Sequence, residues 1–199
     1  MKRSLMGQLP ILLLASTIGL GACASTATMS SSTTIAQQAS ATAISRDEVI
    51  AAQNAWGAAL VRISTTYDNQ GLQAATRMAA TVLDSAYGYA WGPVLFKPTL
   101  TTAPQTFRTT LDGALAYFVG HSSRYPGDTG FALKHWRDVQ IENAAIFIDD
   151  DIAISMGNVR FTDRDGNVTV VDKTWGYKRD ENGTLRIVLH HSSLPYNPG

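Results

Sequence analysis

The chain is poor in cysteine, in excess charge of either sign and in long apolar runs, and each shortage closes off a class of function. Among 199 residues there is one cysteine, Cys23, so no disulfide can form within the chain and no cysteine-rich metal centre can be assembled. Sixteen basic residues balance sixteen acidic ones, for a formal net charge of zero. No surplus is left to neutralise a phosphate backbone, which argues against nucleic acid as a partner. The apolar stretch Ile11-Leu12-Leu13-Leu14-Ala15-Ser16-Thr17-Ile18-Gly19-Leu20 is roughly half the ~20 residues that a membrane-crossing helix needs. A glycine-rich phosphate loop, a G-x-S-x-G elbow and an H-E-x-x-H helix are all missing, and no internal repeat is visible. What remains is a hydrophobic fraction of 45% with four Trp and seven Tyr, the make-up of one folded domain with an aromatic core.

Lys2 and Arg3 ahead of the apolar stretch, and small residues after it, read as an export signal over residues 1–22. The stretch ends in Leu20-Gly21-Ala22-Cys23, which resembles the lipobox of bacterial lipoproteins. The resemblance implies lipidation at Cys23, an exported, periplasmic protein, and, with Ala24 following, a lipid anchor in the outer membrane as its one membrane contact. Ordinary cleavage at Ala22-Cys23-Ala24 is the alternative. Residues 23–44 are largely Ser, Thr, Ala and Gln; they cannot bury enough surface to offset their ordering entropy and read as a flexible tether.

The domain, residues 45–199, opens on a capping box, Ser45 with Glu48 three residues on. Val49, Ala52, Trp56, Leu60, Ile63 and Tyr67 then recur at helical spacing until Asp68-Asn69-Gln70-Gly71 breaks the pattern. A second helix follows with Leu72, Ala75, Met78 and Val82 inward, and a third spans Leu111 to Val119 with Leu111, Leu115 and Phe118 on one side. Between them, Tyr87 to Pro104 is aromatic and proline-rich, with a short strand expected around 93–97; Gly120 to Gly130 reads as a loop of the kind that covers a site. Four strands close the chain, near 134–148, 152–162, 168–179 and 184–193, separated by Asp-, Asn- and Gly-rich turns. Helices followed by an antiparallel meander define an α+β fold, with the N-terminal helices packed on a curved sheet.

The turn Asp163-Arg164-Asp165-Gly166-Asn167 lacks the flanking helices and the final Glu of a calcium loop. Chemistry concentrates instead in the last strand, which ends Leu189-His190-His191-Ser192-Ser193. Successive strand residues face opposite ways, so His190 pairs with Ser192 and His191 with Ser193. A histidine two residues from a serine supplies a base and a hydrogen-bond donor to a small oxyanion; the two residues equally well satisfy each other near a strand end. Alternation gives conflicting guidance here: Leu185, Ile187 and Leu189 share a face with His191, which would bury His191 deepest. No obvious set of three metal ligands is visible. His121 and His135 show no partner and read as surface residues, Tyr89, Trp91, Trp175 and Tyr177 as wall and core, and Lys173 has Asp172 or Glu142 as candidate partners.

The segments Tyr89 to Thr99, Val170 to Tyr177 and His190 to Tyr196 resemble the iota-class carbonic anhydrases, of the SnoaL-like, nuclear transport factor 2-like superfamily. The resemblance covers Arg46 to Tyr196. It implies a cone-shaped bent antiparallel sheet around helices, a homodimer, and reversible hydration of CO2 to bicarbonate in a pocket formed by Thr99, Tyr117, His190 and Ser192. It thereby assigns the pocket to the His190 face, with His191 and Ser193 as secondary candidates. The expected site is metal-free, with His190 receiving or relaying the proton and the three hydroxyls cradling the developing carbonate; zinc or manganese is the alternative cofactor. Two other functions remain open at this point: an isomerase or cyclase acting on a larger apolar ligand, and a non-catalytic binding or oligomerisation module. A narrow polar pocket would favour the carbonic anhydrase.

Overall fold

A computed structural model describes residues 43–198; the export signal, Cys23 and nearly all of the tether lie outside the described residues. Helices α1 (Arg46–Gln70) and α2 (Leu72–Ala86) come first. A short strand β1 (Leu95–Lys97), helix α3 (Leu111–Val119) and a 3-10 turn (Phe131–Leu133) follow, and then four strands: β2 (Trp136–Asp149), β3 (Ile152–Asp163), β4 (Val168–Arg179) and β5 (Leu185–Ser193). The sheet order is β1-β5-β4-β3-β2. The meander β2 to β5 is antiparallel as expected, but β1 joins β5 in parallel. That edge places Phe96 beside His190 and carries the chain on to Thr99.

Ser45 and Glu48 form the capping box in both directions, and Val49, Trp56, Leu60 and Ile63 are buried against the sheet. Ile44, assigned to the tether by composition, is buried and donates its N–H to the Asp150 carbonyl at 2.7 Å. The inward stripe of α2 is Ala75, Ala79 and Leu83, with Leu72, Met78 and Val82 only half-buried. The helix packs on α1 and α3, and its small alanines allow the closer approach. In α3 the buried face carries Ala114, Tyr117 and Phe118, whereas Leu111 is exposed and Leu115 half-buried. Gly157 sits opposite a bulge of β2, where an added Cβ would collide with the Glu142 carbonyl. His135 is not alone: its Nδ1 lies 2.5 Å from Asp68 Oδ1, and Arg137 pairs with the same carboxylate at 2.6 Å. Asp163 Oδ1 accepts the N–H groups of Asp165 and Asn167 at 2.9 Å, so that turn spends its carboxylate on itself.

Candidate active site

Strand β4 turns Val171, Lys173, Trp175 and Tyr177 to the inside, all buried, while Asp172 faces out and accepts from Asn158 Nδ2 at 2.9 Å. Period-2 alternation therefore separates Lys173 from its expected partner Asp172. Across from it on β5, Lys173 is in register with Ser192 and Trp175 with His190. His190 and Ser192 are buried at 2% and 1% exposure, and His191 is exposed.

The conflict in the alternation is resolved by a bulge. Tyr177 pairs with Ile187 and Gly176 with Leu189, which leaves Val188 without an opposite number. One extra residue shifts the phase of everything after it. Ile187 and His190 consequently both face inward, although they are three residues apart. No glycine or proline in β5 announces the bulge; opposite it stands Gly176, and Val188 packs where Gly88 has no side chain.

The His190 ring is held on every side. Phe96 stacks on it at 4.5 Å between centroids, and Trp56 meets it edge-on at 5.4 Å. Nδ1 lies 2.8 Å from the Tyr87 hydroxyl, which also accepts from Trp56 Nε1 at 2.9 Å. Nε2 lies 2.9 Å from Lys173 Nζ. The Lys173 nitrogen is surrounded by the rings of Trp56, Trp175 and Phe161, at 4.6, 5.3 and 5.5 Å. Burial brings its pKa down from 10.5 to about 7. Burial likewise pushes His190 well below its ordinary value, with the Lys173 charge next in size.

Thr99 Oγ1 and Ser192 Oγ share a hydrogen bond of 2.6 Å, and Lys97 Nζ donates to the Ser192 carbonyl at 3.0 Å. The Tyr117 hydroxyl is buried and makes no hydrogen bond of good geometry; burial raises its pKa more than the Leu100 backbone and Thr99 lower it. Such a donor is poised for something not made of protein. Thr99, Tyr117, His190, Ser192 and Lys173 border one cavity of about 10 Å³, closed otherwise by aromatic rings and Pro98. That is room on the order of one water molecule, whose centre needs roughly 10–15 Å³. Larger hollows, of about 390 Å³ between α1, α2 and the β4–β5 hairpin and about 500 Å³ beside the loop after α3, contain none of Thr99, Tyr117, His190 or Ser192.

The four expected residues thus meet at one place, from the loop after β1, from α3 and from β5. His191 and Ser193 do not join them; they border a hollow on the opposite, outer face with Thr174 and Met156. Lys173 and Tyr87 are the residues that sequence reasoning missed. Lys173 was open to discovery, because a lysine between Val171 and Trp175 at period-2 spacing lies in an apolar stripe. The loop 120–130 borders Tyr117 through Gly127, Asp128 and Thr129, with the Asp128 carboxylate fixed by Arg108 at 2.7 and 2.8 Å. Among the described residues no three His, Cys, Asp or Glu side chains converge as a metal site.

A half-open sheet and three helices around a small cavity, walled by hydroxyl, imidazole and amine groups together with aromatic rings, define an α+β enzyme for a very small substrate. The chain belongs to the metal-independent carbonic anhydrase family, whose sequence profile matches residues 47–194. It is 58% identical over 171 residues to a metal-independent carbonic anhydrase of Nostoc sp. (strain PCC 7120), covering 86% of this chain and 82% of that one. It is also similar to the crystal structure of a cyanobacterial iota-carbonic anhydrase complexed with bicarbonate, at 60% identity and a TM-score of 0.78, over 78% of this chain and 95% of the other. A calcium/calmodulin-dependent kinase II association domain from Xanthomonas campestris shares the fold at 22% identity and a TM-score of 0.51, over 76% and 88% of the two chains. The expectation of a metal-free enzyme agrees with the family.

Proposed function

We propose that this protein carries out its family's reaction, the reversible hydration of CO2 to bicarbonate, in the cavity between β1, α3, β4 and β5. The observation that carries this reading is the meeting of Thr99, Tyr117, His190 and Ser192 around a space of about one water molecule. CO2 is linear, apolar and uncharged, and the aromatic walls suit it. The product is a planar anion, and the hydroxyls suit that. One of the Thr99 and Ser192 hydroxyls donates to the other, so both keep acceptor capacity for a water, and the accepting one keeps its O–H for a developing oxyanion. Tyr117 contributes a buried hydroxyl whose polar neighbours are Thr99 and the Leu100 backbone. His190 is locked at the cavity wall by its contacts with Phe96 and Trp56. The cavity's size also speaks against a larger apolar substrate, and so against an isomerase or cyclase working at this site.

The outer face of the sheet supports a homodimer. Phe147, Ile154 and Met156 are 64%, 43% and 60% exposed; Ile154 and Met156 share one face of β3, and Phe147 is in register with Ile154. An apolar patch of that kind marks an association surface, and His191 and Ser193 belong to it. Lipidation at Cys23, with anchorage of a periplasmic domain to the outer membrane, completes the reading and rests on the N-terminal sequence.

The test is a CO2 hydration assay on protein stripped with a strong chelator and checked by elemental analysis. Retention of most of the activity is expected. Loss that zinc or manganese restores would overturn the metal-free reading, and wild-type protein without hydration activity would overturn the function.

A further inference from the structure

We propose that Lys173, and not His190, is the residue that takes the proton released when water adds to CO2, with His190 as its positioning partner. This rests on the reading of the cavity as the hydration site. The argument begins with His190's ring nitrogens, both of which are already engaged by protein, Nδ1 by the Tyr87 hydroxyl at 2.8 Å and Nε2 by Lys173 Nζ at 2.9 Å. An imidazole has two such positions and no third. It has no free lone pair for a water in the cavity unless one of these bonds breaks.

Lys173 is different. A neutral amine has two hydrogens and one lone pair; if it donates one hydrogen to His190 Nε2, the lone pair stays free, and Lys173 borders the cavity. His190 then carries its proton on Nδ1 and donates it to Tyr87 Oη, beside Trp56 Nε1–H; the opposite tautomer, with Tyr87 O–H donating to Nδ1 and Nε2–H donating into the Lys173 lone pair, is the one in which Lys173 takes no proton. The other lining groups are phenol, hydroxyls and hydrocarbon, and no carboxylate borders the cavity. Facing Lys173 are Trp56 from α1, Phe161 from β3, Tyr117 across the cavity from α3, His190 from β5, and Tyr87 behind it. Both tyrosines are pushed up by burial, so they are poor bases at neutral pH.

The step balances. A lone pair of the water oxygen forms the new C–O bond, and one C=O π pair moves onto its oxygen. The breaking water O–H leaves its electrons on the new carbonate oxygen and its proton on Nζ. Water, CO2 and amine become bicarbonate and ammonium, so the cavity is electrically neutral before and after. The ring cage supports the ammonium through its π faces, while burial keeps the amine unprotonated beforehand, with a pKa of about 7.

The experiment compares wild type, Lys173→Met and Lys173→Arg by stopped-flow CO2 hydration from about pH 6 to 9, with unfolding checked in parallel. Arginine keeps a cation and a donor to His190 but cannot serve as a base. Both variants should lose at least ~100-fold in kcat, the scale of a general base, while wild-type kcat/KM rises with pH through about 7. Activity within ~3-fold of wild type in either folded variant would overturn the proposal, and Lys173→Arg activity in particular would reveal a merely electrostatic role. Should neither variant fold, nitrogen-15 NMR of lysine-labelled wild type decides: an Nζ still fully protonated at about pH 9 overturns it. An inactive wild type would instead sink the hydration reading itself.

Discussion

The stability gap between wild type and Lys173→Met should change with pH by ~2–3 kcal/mol between about pH 7.5 and 9.5. Unfolded, Lys173 holds its proton up to 10.5; folded, burial brings that value to about 7. Between the two, the unfolded chain binds more protons, so raising the pH favours the folded state. Below about 7 the lysine is charged in both states and the full penalty is present; above 10.5 the penalty has vanished. At ~1.4 kcal/mol per pKa unit, it is about 4 kcal/mol near pH 7.5 and about 1 near pH 9.5. Methionine fills the same space without a charge. It also leaves His190 Nε2 without its partner, at a cost of roughly 1–3 kcal/mol that does not depend on pH in this range. His190 does not blur the comparison, because its folded value lies well below an ordinary one of 6.5 and it is neutral throughout. Urea unfolding of both proteins across this range gives the gap directly. Lys173→Met should be the more stable protein at the lower pH and lose that advantage at the higher. A gap constant to within ~0.5 kcal/mol would refute the reasoning, because it would mean that folding does not shift the lysine's proton affinity.

His190→Ala should lower kcat/KM by about 100-fold, because Lys173 loses the ring that positions it, whereas His191→Ala should leave hydration intact and weaken self-association; the reverse ranking in folded proteins would place the site on the wrong face of β5. Cys23→Ser should release the protein from the membrane fraction, or leave its precursor uncleaved. A mature, acylated and still sedimenting variant would rule out Cys23 as the anchor.

The helices and the four-stranded meander were legible because their signals are local: a capping box before an apolar stripe, and Asp- and Gly-rich turns between β-branched runs. Which stripe of α2 and α3 faces inward was not, since that depends on neighbours. An alanine face is chosen in α2 because another helix lies close, and hydrophobicity alone favours the leucines. The parallel docking of β1 is also a long-range event, joining residues more than ninety positions apart. Thr99, Tyr117, His190 and Ser192 came from family resemblance, and their meeting at one cavity is geometry that periodicity could not supply. Lys173 shows the opposite failure. Its burial was written in the alternation of β4, yet a charged side chain beside an aspartate invites a surface pairing.

The unpaired Val188 divides β5 into two lengths that keep different time. Before it, the strand answers to the hydrophobic interior; after it, to the polar chamber. The phase of His190 and Ser192 is set after that residue and that of Ile187 before it. Strict alternation would force a single strand to choose between an oily face and a chemical one. The inserted residue spares it that choice, and so one continuous strand can turn Ile187 to the oily interior and His190 and Ser192 to the small cavity.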